Sequence, residues 1–261
     1  MAYLRIVGLF FKLGIMNELQ YRINFLVQIF QSILALIVAL GGLWVVYDHT
    51  ETLNGWASSE LLAIVGVYFL IGGFINTLIQ PSMQLLMEDV RTGKLDFTLV
   101  KPVETQLLIS VRQVQIWKLT DVAIGVVVLV IGLAQLHVNI GVDNVVAFGF
   151  LLIMGLAIVY SFWLILATCS FWFVRVENIL VIFQSMYEAG RWPVRIYPGW
   201  LQFTLTFLVP VAFAVTVPVE ALTGRLTSGT FLGAAGLTLF MLTASRLFWK
   251  IGIRAYSGAS A

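Results

Sequence analysis

Long uncharged stretches alternate with short charged segments along this chain. The six longest uncharged stretches cover residues 23–47, 61–87, 122–142, 144–174, 196–219 and 226–245. Each is at least about 20 residues long, which is the length that an α-helix needs to cross a bilayer. Strands of a membrane barrel would instead alternate apolar and polar residues over about ten positions. The pattern therefore predicts an all-α polytopic membrane protein.

The composition agrees with this prediction and excludes several classes of protein. Hydrophobic residues make up 60% of the chain and charged residues 11%, and the mean hydropathy is +0.98. A soluble domain carries about 25% charged residues, so a water-soluble enzyme and a disordered chain are excluded. A net charge of +2 leaves no extended basic surface for nucleic acid. The single cysteine, Cys169, rules out a disulfide framework and a cysteine zinc site.

The first 21 residues have an amphipathic pattern. If they are helical, Arg5, Gly8 and Lys12 share one face, and apolar residues cover the rest. This pattern is typical of a helix that lies in the membrane interface. The alternative is that residues 1–21 are only the frayed start of the first span.

The distribution of Lys and Arg predicts the orientation in the membrane. Residues 48–60 contain neither, whereas the N-terminal segment, residues 88–118 and the C-terminal segment all carry several. The positive-inside rule then places both termini in the cytoplasm. Five spans are predicted at residues 23–47, 61–81, 119–136, 144–174 and 230–251, so residues 175–225 must make one more crossing.

Those residues contain four of the chain's six prolines, and prolines end or kink helices. In one arrangement residues 178–191 cross the membrane, and residues 192–224 form re-entrant helices on the outer side. In the other, residues 178–197 stay cytoplasmic and residues 199–222 cross. Counting charges slightly favours the second arrangement, because Arg191 and Arg195 would then be cytoplasmic. The residue pattern alone leaves both open.

Several short motifs resemble those of a known family. Residues 93–103 read Gly-x-Leu-x-x-x-Leu-x-x-Pro-Val, and the later motifs are Trp192-Pro193, Tyr197-Pro198-Gly199 and Val209-Pro210. With the order of the apolar stretches, these motifs resemble the ABC-2 type permeases of ABC transporters. The resemblance covers essentially the whole chain, and residues 93–103 are its most specific part.

The resemblance implies a single transmembrane domain over residues 1–261, with six spans that include residues 178–191. It implies a dimer of permease subunits, identical or homologous, each docked on a cytoplasmic ATPase through a coupling helix at residues 84–100. The implied coupling residues are Glu88, Asp89, Arg91, Gly93, Leu95 and Asp96. Re-entrant helices on the outer side, over residues 192–224, would contain Pro193, Pro198 and Pro210. Such a chain would lie in the inner membrane of a prokaryote.

The residues also indicate which chemistry the chain lacks. Gly93-Lys94 is followed by Leu95 and lacks a phosphate-binding glycine loop, so the chain has no ATP-hydrolysing motif. We expect no cofactor in this chain, with ATP and magnesium bound to the partner ATPase. Residues 88–101 mix charges of both signs with apolar side chains, which suits docking to a protein groove. The alternative is an ordinary solvated loop.

The leading hypothesis is thus the permease subunit of an ATP-driven exporter of a hydrophobic or amphipathic substrate. The alternative is an ATP-independent channel or secondary transporter, for which buried charges at mid-span would be expected. Asp121 is interpreted as an interfacial residue paired with Lys118 or Arg112, although it could also bind a proton or contact substrate. No arrangement of residues suggests an intramembrane enzyme.

Overall fold

The computed structural model describes residues 8–9, 12–16, 22–136, 140–173 and 177–256. Outside its helices, this part of the chain contains one isolated β-bridge, between Leu53 and Trp56. The helices are α1 (Arg22–Tyr47), α2 (Ser58–Thr92), α3 (Asp96–Leu99), α4 (Thr105–Ser110), α5 (Ile116–Gln135), α6 (Val142–Phe171), α7 (Glu177–Glu188), α8 (Gly199–Leu208), α9 (Val211–Leu222) and α10 (Ser228–Ala255).

Five of these helices are long and apolar enough to cross a membrane: α1, α2, α5, α6 and α10. A sixth span exists on this measure only if α8 and α9, which meet at 67°, are taken together. Helix α7 has 12 residues, fewer than the roughly 20 of a full crossing. The predicted all-α polytopic fold is confirmed, with five to six spans. The crossing at residues 178–191 stays a prediction.

Helix α2 is the centre of the bundle, and its most extensive contact is with α5. Glycines on both helices allow this close approach, because a Cβ atom at Gly125 would lie 2.4 Å from the backbone nitrogen of Leu70. At Gly66 a Cβ atom would lie 2.5 Å from the nitrogen of Leu129. Small residues commonly bring membrane helices together in this way. Gly233 and Gly236 of α10 have open space beside them instead.

The two ends of the bundle are distinct. We call the end that carries residues 48–57 the loop end, and the end that carries α3 the tip end. At the loop end the Asn54 side chain donates to the carbonyl of Arg195 at 3.0 Å. Arg225 pairs with Glu60 at 2.8 Å and donates to the carbonyl of Gly55. The two flanks of the α8–α9 pair therefore both lie at the loop end.

Between these flanks the α8–α9 pair reaches deep into the bundle. A Cβ atom at Gly155 would lie 2.8 Å from the Cα atom of Ala214 in α9. Gly155 is roughly 20 Å along α6 from Val142, at about 1.5 Å per residue. Over this stretch the chain therefore enters and leaves at the loop end.

The N-terminal segment lies at the tip end. Residues 8–9 and 12–16 are helical, and a Cβ atom at Gly14 would lie 3.1 Å from the Cβ atom of Val114. Gly8 and Lys12 are exposed, and so are the apolar Leu9, Leu13 and Met16, so the predicted interfacial helix stays a prediction. Arg5 and the remainder of the predicted interfacial helix lie outside the described residues.

Candidate functional site

The tip begins where α2 ends. Gly93 has a φ of +71°, the left-handed conformation that glycine adopts without steric cost. Its amide donates to the carbonyl of Val90 at 3.3 Å, and the amide of Leu95 donates to the carbonyl of Asp89 at 3.2 Å. This turn reverses the chain and buries the Leu95 side chain completely.

A buried ion pair holds the turn together. Asp89, in the last turns of α2, is buried and pairs with Arg112. The guanidinium of Arg112 also donates to the hydroxyl of Thr98 at 3.2 Å. The end of α2, helix α3 and the returning chain are thus tied to one another.

The chain that returns from the tip is hydrogen-bonded to α2 at a local irregularity of that helix. Residues Ile75–Ile79 form a π-helical turn, and the carbonyl of Thr77 accepts a hydrogen bond from the amide of Gln115 at 2.9 Å. Five residues further along, the Ser82 hydroxyl donates to the carbonyl of Gln113 at 3.0 Å. π-Helical turns often occur at functional sites. Here the turn supplies an acceptor that anchors residues 113–115 along α2.

Two further spans brace the tip. Arg246 of α10 pairs with Glu104, and the hydroxyls of Tyr160 in α6 and Ser110 in α4 are hydrogen-bonded at 2.7 Å. Burial raises the pKa of the Tyr256 phenol above its ordinary value, and the nearby carboxylates of Asp96 and Asp89 raise it further. The tip is fixed to α2, α6 and α10.

What the tip leaves exposed is an apolar knob with a charged rim. Phe97 and Val100 are 74% and 81% exposed. Glu88 and Arg91 in the last turns of α2 and Lys94 in the turn before α3 are exposed as well. An apolar centre within a polar rim is the usual organisation of a protein–protein contact. Nothing comparable supports a metal site. Within the described ranges, no three His, Cys, Asp or Glu side chains lie close enough together to bind a metal ion.

The six predicted coupling residues do not share one environment in the structure. Glu88 and Arg91 face outward and Asp96 is half-buried, whereas Asp89 and Leu95 point inward and Gly93 forms the turn. The prediction did not distinguish these roles, and it did not single out Phe97 and Val100. The helical spacing of these residues could have indicated which side chains are buried. Leu95 and Thr98 lie three residues apart on the buried side of α3, and Phe97 and Val100 lie three residues apart on its exposed side.

The three predicted prolines of the re-entrant segment stand at element boundaries. Pro193 follows the 3-10 turn Ala189–Arg191, Pro198 directly precedes α8, and Pro210 separates α8 from α9. Proline has a fixed φ and no amide hydrogen, which explains why helices begin or break there.

Asp121 differs from its predicted environment. Arg112, one of its two predicted partners, pairs with Asp89 instead. Asp121 accepts a hydrogen bond from Ser32 of α1, while Lys118 lies close enough to act on its charge. It lines a polar cavity between the helices, which the sequence analysis did not anticipate.

Comparison with known proteins decides the family. A model of the family described as "ABC-2 family transporter protein" matches residues 27–260. The chain belongs to the ABC-2 transporter family. Neither the curated proteins nor the solved structures contain a match. This ABC-2 chain is accordingly a multi-pass membrane protein and a permease subunit of an ABC transporter, a transport component rather than an enzyme.

Proposed function

We propose that the ABC-2 chain belongs to an ATP-driven exporter and docks on a separate cytoplasmic ATPase through the exposed surface around α3. The observation that carries this proposal is the exposed knob of Phe97 and Val100 at the end of α2, which is fixed from behind and lies next in the chain to exposed charged side chains. The ATPase would hold ATP and magnesium, since the chain has no phosphate-binding loop of its own.

The length of α2 suits it to carry motion across the membrane. Its 35 residues span about 52 Å, from the knob to Glu60 at the loop end. A displacement of the knob by the ATPase would tilt this helix and the α5 helix packed along it. A second permease subunit, identical or homologous, would complete the path for a hydrophobic or amphipathic substrate.

Charge supports the orientation. The tip end carries Arg91, Lys94 and Lys101, whereas residues 48–60 at the loop end carry no Lys or Arg. The positive-inside rule therefore puts the tip and both termini in the cytoplasm. The α8–α9 pair then becomes re-entrant from the outer side, and α7 makes the preceding crossing. The inner membrane of a prokaryote is the proposed location.

The docking test compares two exposed phenylalanines at the tip end. In Phe97→Ser the apolar centre of the knob is lost, and we expect the co-purified ATPase to fall by roughly tenfold, as at a contact hot spot. Phe173→Ser removes a ring outside the knob that is also well exposed, at 64%, and should leave recovery unchanged. Equal recovery with both variants would contradict docking through the knob.

One observation favours the alternative of an ATP-independent channel or secondary transporter. Asp121 belongs to the membrane helix α5 and lines a polar cavity between helices. Ionisable residues in such positions often mark an ion or substrate pathway. Transport by purified chain in liposomes without any ATPase would support this alternative. Transport only when an ATPase and ATP are added would support the exporter.

A further inference from the structure

One face of α1 changes from polar to apolar along its length. Gln28 and Ser32 are 8% and 2% exposed, and the same inward face continues with buried Ala39 and Leu43. Most other exposed side chains of α1 are apolar, as expected for contact with lipid, and the exposed polar ones include Asn24 and Gln31. Polar side chains buried behind a loosely packed membrane helix are costly unless they bind something polar.

A cavity of about 210 Å³ lies behind α1, bounded also by α2, α5 and α7. Its walls carry side-chain amides from three helices: Gln28, Gln31, Asn76 and Gln184. The Gln28 amide donates to the Ser32 hydroxyl at 3.1 Å, and that hydroxyl donates to Asp121. Oε1 of Gln184 is buried and has no hydrogen-bond partner among the described residues. A buried acceptor without a partner is unfavourable and is satisfied when a ligand supplies a donor.

The charges in this cavity balance. Asp121 and Lys118 lie on its α5 wall, and Glu188 and Arg191 are paired at 3.2 Å near the end of α7. The guanidinium of Arg191 also lies 5.6 Å from the centre of the Tyr68 ring. Two carboxylates and two cations give the described lining residues no net charge. A ligand with a net charge would remain uncompensated there, which is unfavourable at membrane depth.

Two more cavities adjoin this one along α1. Toward the tip end, a cavity of about 240 Å³ shares Gln28 and Lys118 with it and reaches Asn24. Toward the loop end, a cavity of about 210 Å³ shares Arg191 and is otherwise apolar, lined by Val38, Ala39, Gly42, Leu43, Val65 and Trp192. From Asn24 to Leu43 the helix rises about 28 Å, close to the thickness of the hydrocarbon core.

We propose that this row of cavities binds an amphipathic molecule with an uncharged, hydroxyl- or amide-rich headgroup and one hydrocarbon chain. The headgroup lies in the middle cavity among the amides, where its donors reach Gln184. The chain extends into the apolar cavity beside Trp192. This inference rests on the proposed transport function, and it names the class of substrate and a path within one subunit.

The test uses neighbouring glycines of α1. The probe is a dodecyl glucoside with a diazirine at the end of its chain, added to the protein in phospholipid nanodiscs. A Cβ atom at Gly42 would lie 3.7 Å from the Trp192 ring, whereas one at Gly41 would have no neighbour within 4 Å. We expect saturable photolabelling around residues 38–43 and Trp192. Gly42→Leu fills the apolar cavity and should lower it at least about fivefold, while Gly41→Leu should not change it.

A second pair of variants tests the headgroup. Gln184→Leu should weaken labelling by the glucoside but not labelling by a diazirine-bearing dodecane, which needs only the apolar cavity. Ser185→Leu changes the adjacent exposed residue and should affect neither probe. Size-exclusion chromatography of each variant separates lost binding from misfolding. Matching dodecylamine and dodecyl phosphate probes should label less than the glucoside.

Three outcomes would overturn the inference. Labelling that does not saturate, or that is equal in both glycine variants, would show ordinary contact with bulk lipid. Stronger labelling by a charged probe would contradict the uncharged headgroup. Labelling that fails while the ATPase still co-purifies through the knob would refute this site and leave the proposed function standing. Labelling that succeeds in a chain that binds no ATPase would support this site and contradict the proposed docking on an ATPase.

Discussion

Asp89 and Arg112 illustrate how an inward-facing ion pair can hold in place the exposed surface that we propose as the docking site. The Asp89 carboxylate faces inward, so its contribution to the tip is structural, whereas its neighbour Glu88 faces outward. Loss of one partner from a buried pair leaves the other charge uncompensated.

Asp89→Ala should therefore lower the free energy of unfolding by about 3 kcal/mol, because Arg112 is left without its partner. Glu88→Ala, one residue away, should change stability by less than about 0.5 kcal/mol. Thermal unfolding of the purified variants in the same detergent measures both. Equal melting temperatures would show that the ion pair does not hold the tip.

Gly93 is the second residue on which the tip depends. With φ at +71°, Gly93→Ala should cost about 1–2 kcal/mol of stability, since a Cβ atom is unfavourable in the left-handed region. Gly93→Asn should cost less, because asparagine tolerates this conformation better than alanine. Gly199→Ala serves as the control, at a glycine with open space and no positive φ. An alanine at position 93 as stable as the wild type would contradict the turn.

At the scale of elements, the contact between α2 and α5 depends on the near absence of side chains. Gly66 and Gly73 of α2 face Leu129 and Val122 of α5, and Gly125 and Gly132 of α5 face Leu70 and Ala63 of α2, so the two backbones nearly touch. Each pair of glycines is seven residues apart, which keeps them on one side of a helix. The contact couples the longest helix to a span that begins at the tip.

Gly125→Leu should separate α2 from α5 and cost at least about 3 kcal/mol, because its Cβ atom alone overlaps the backbone of Leu70. Gly233→Leu places the same side chain on α10, where space is open, and should be tolerated. The yield of monodisperse protein and its melting temperature distinguish the two variants. A stable Gly125→Leu protein would show that the helices are less closely packed than described.

At the scale of the whole molecule, the α8–α9 pair decides how the chain threads the membrane. Its flanks meet residues 54 and 55 and Glu60 at the loop end, although charge counting slightly favoured Arg191 and Arg195 on the cytoplasmic side. The contacts of Asn54 with Arg195, and of Glu60 with Arg225, place both flanks at the loop end, and the side of the membrane that this end faces follows from the proposed orientation.

A cysteine at Arg195, in a Cys169→Ser background, should react with an impermeant thiol reagent added to intact cells. The Arg195 side chain is well exposed at the loop end, which the proposal assigns to the outside. Lys94→Cys at the tip should react only after permeabilisation. Labelling of both cysteines only after permeabilisation would reject the re-entrant arrangement.

Much of the architecture follows from local sequence. The five long helices correspond to charge-free stretches, and Gly93 and Pro210 mark a turn and a break that their backbone chemistry requires. Local sequence did not distinguish the buried residues of the tip from the exposed ones. Asp89 and Glu88 look alike in a charged segment, and only the packing of Arg112 turns one of them inward.

The sequence by itself determined the all-α membrane fold, because long apolar helices satisfy their own backbone hydrogen bonds in hydrocarbon whatever they pack against. Its short motifs, not its hydropathy, indicated the family. Only the tertiary structure decided which polar groups meet. Gln28 and Ser32 belong to α1, Asp121 to α5 and Gln184 to α7, and no pattern within one of these helices indicates that they share a cavity. Their shared cavity exists because α1 packs loosely against α2 and α5, a property of facing surfaces that no stretch of one helix encodes.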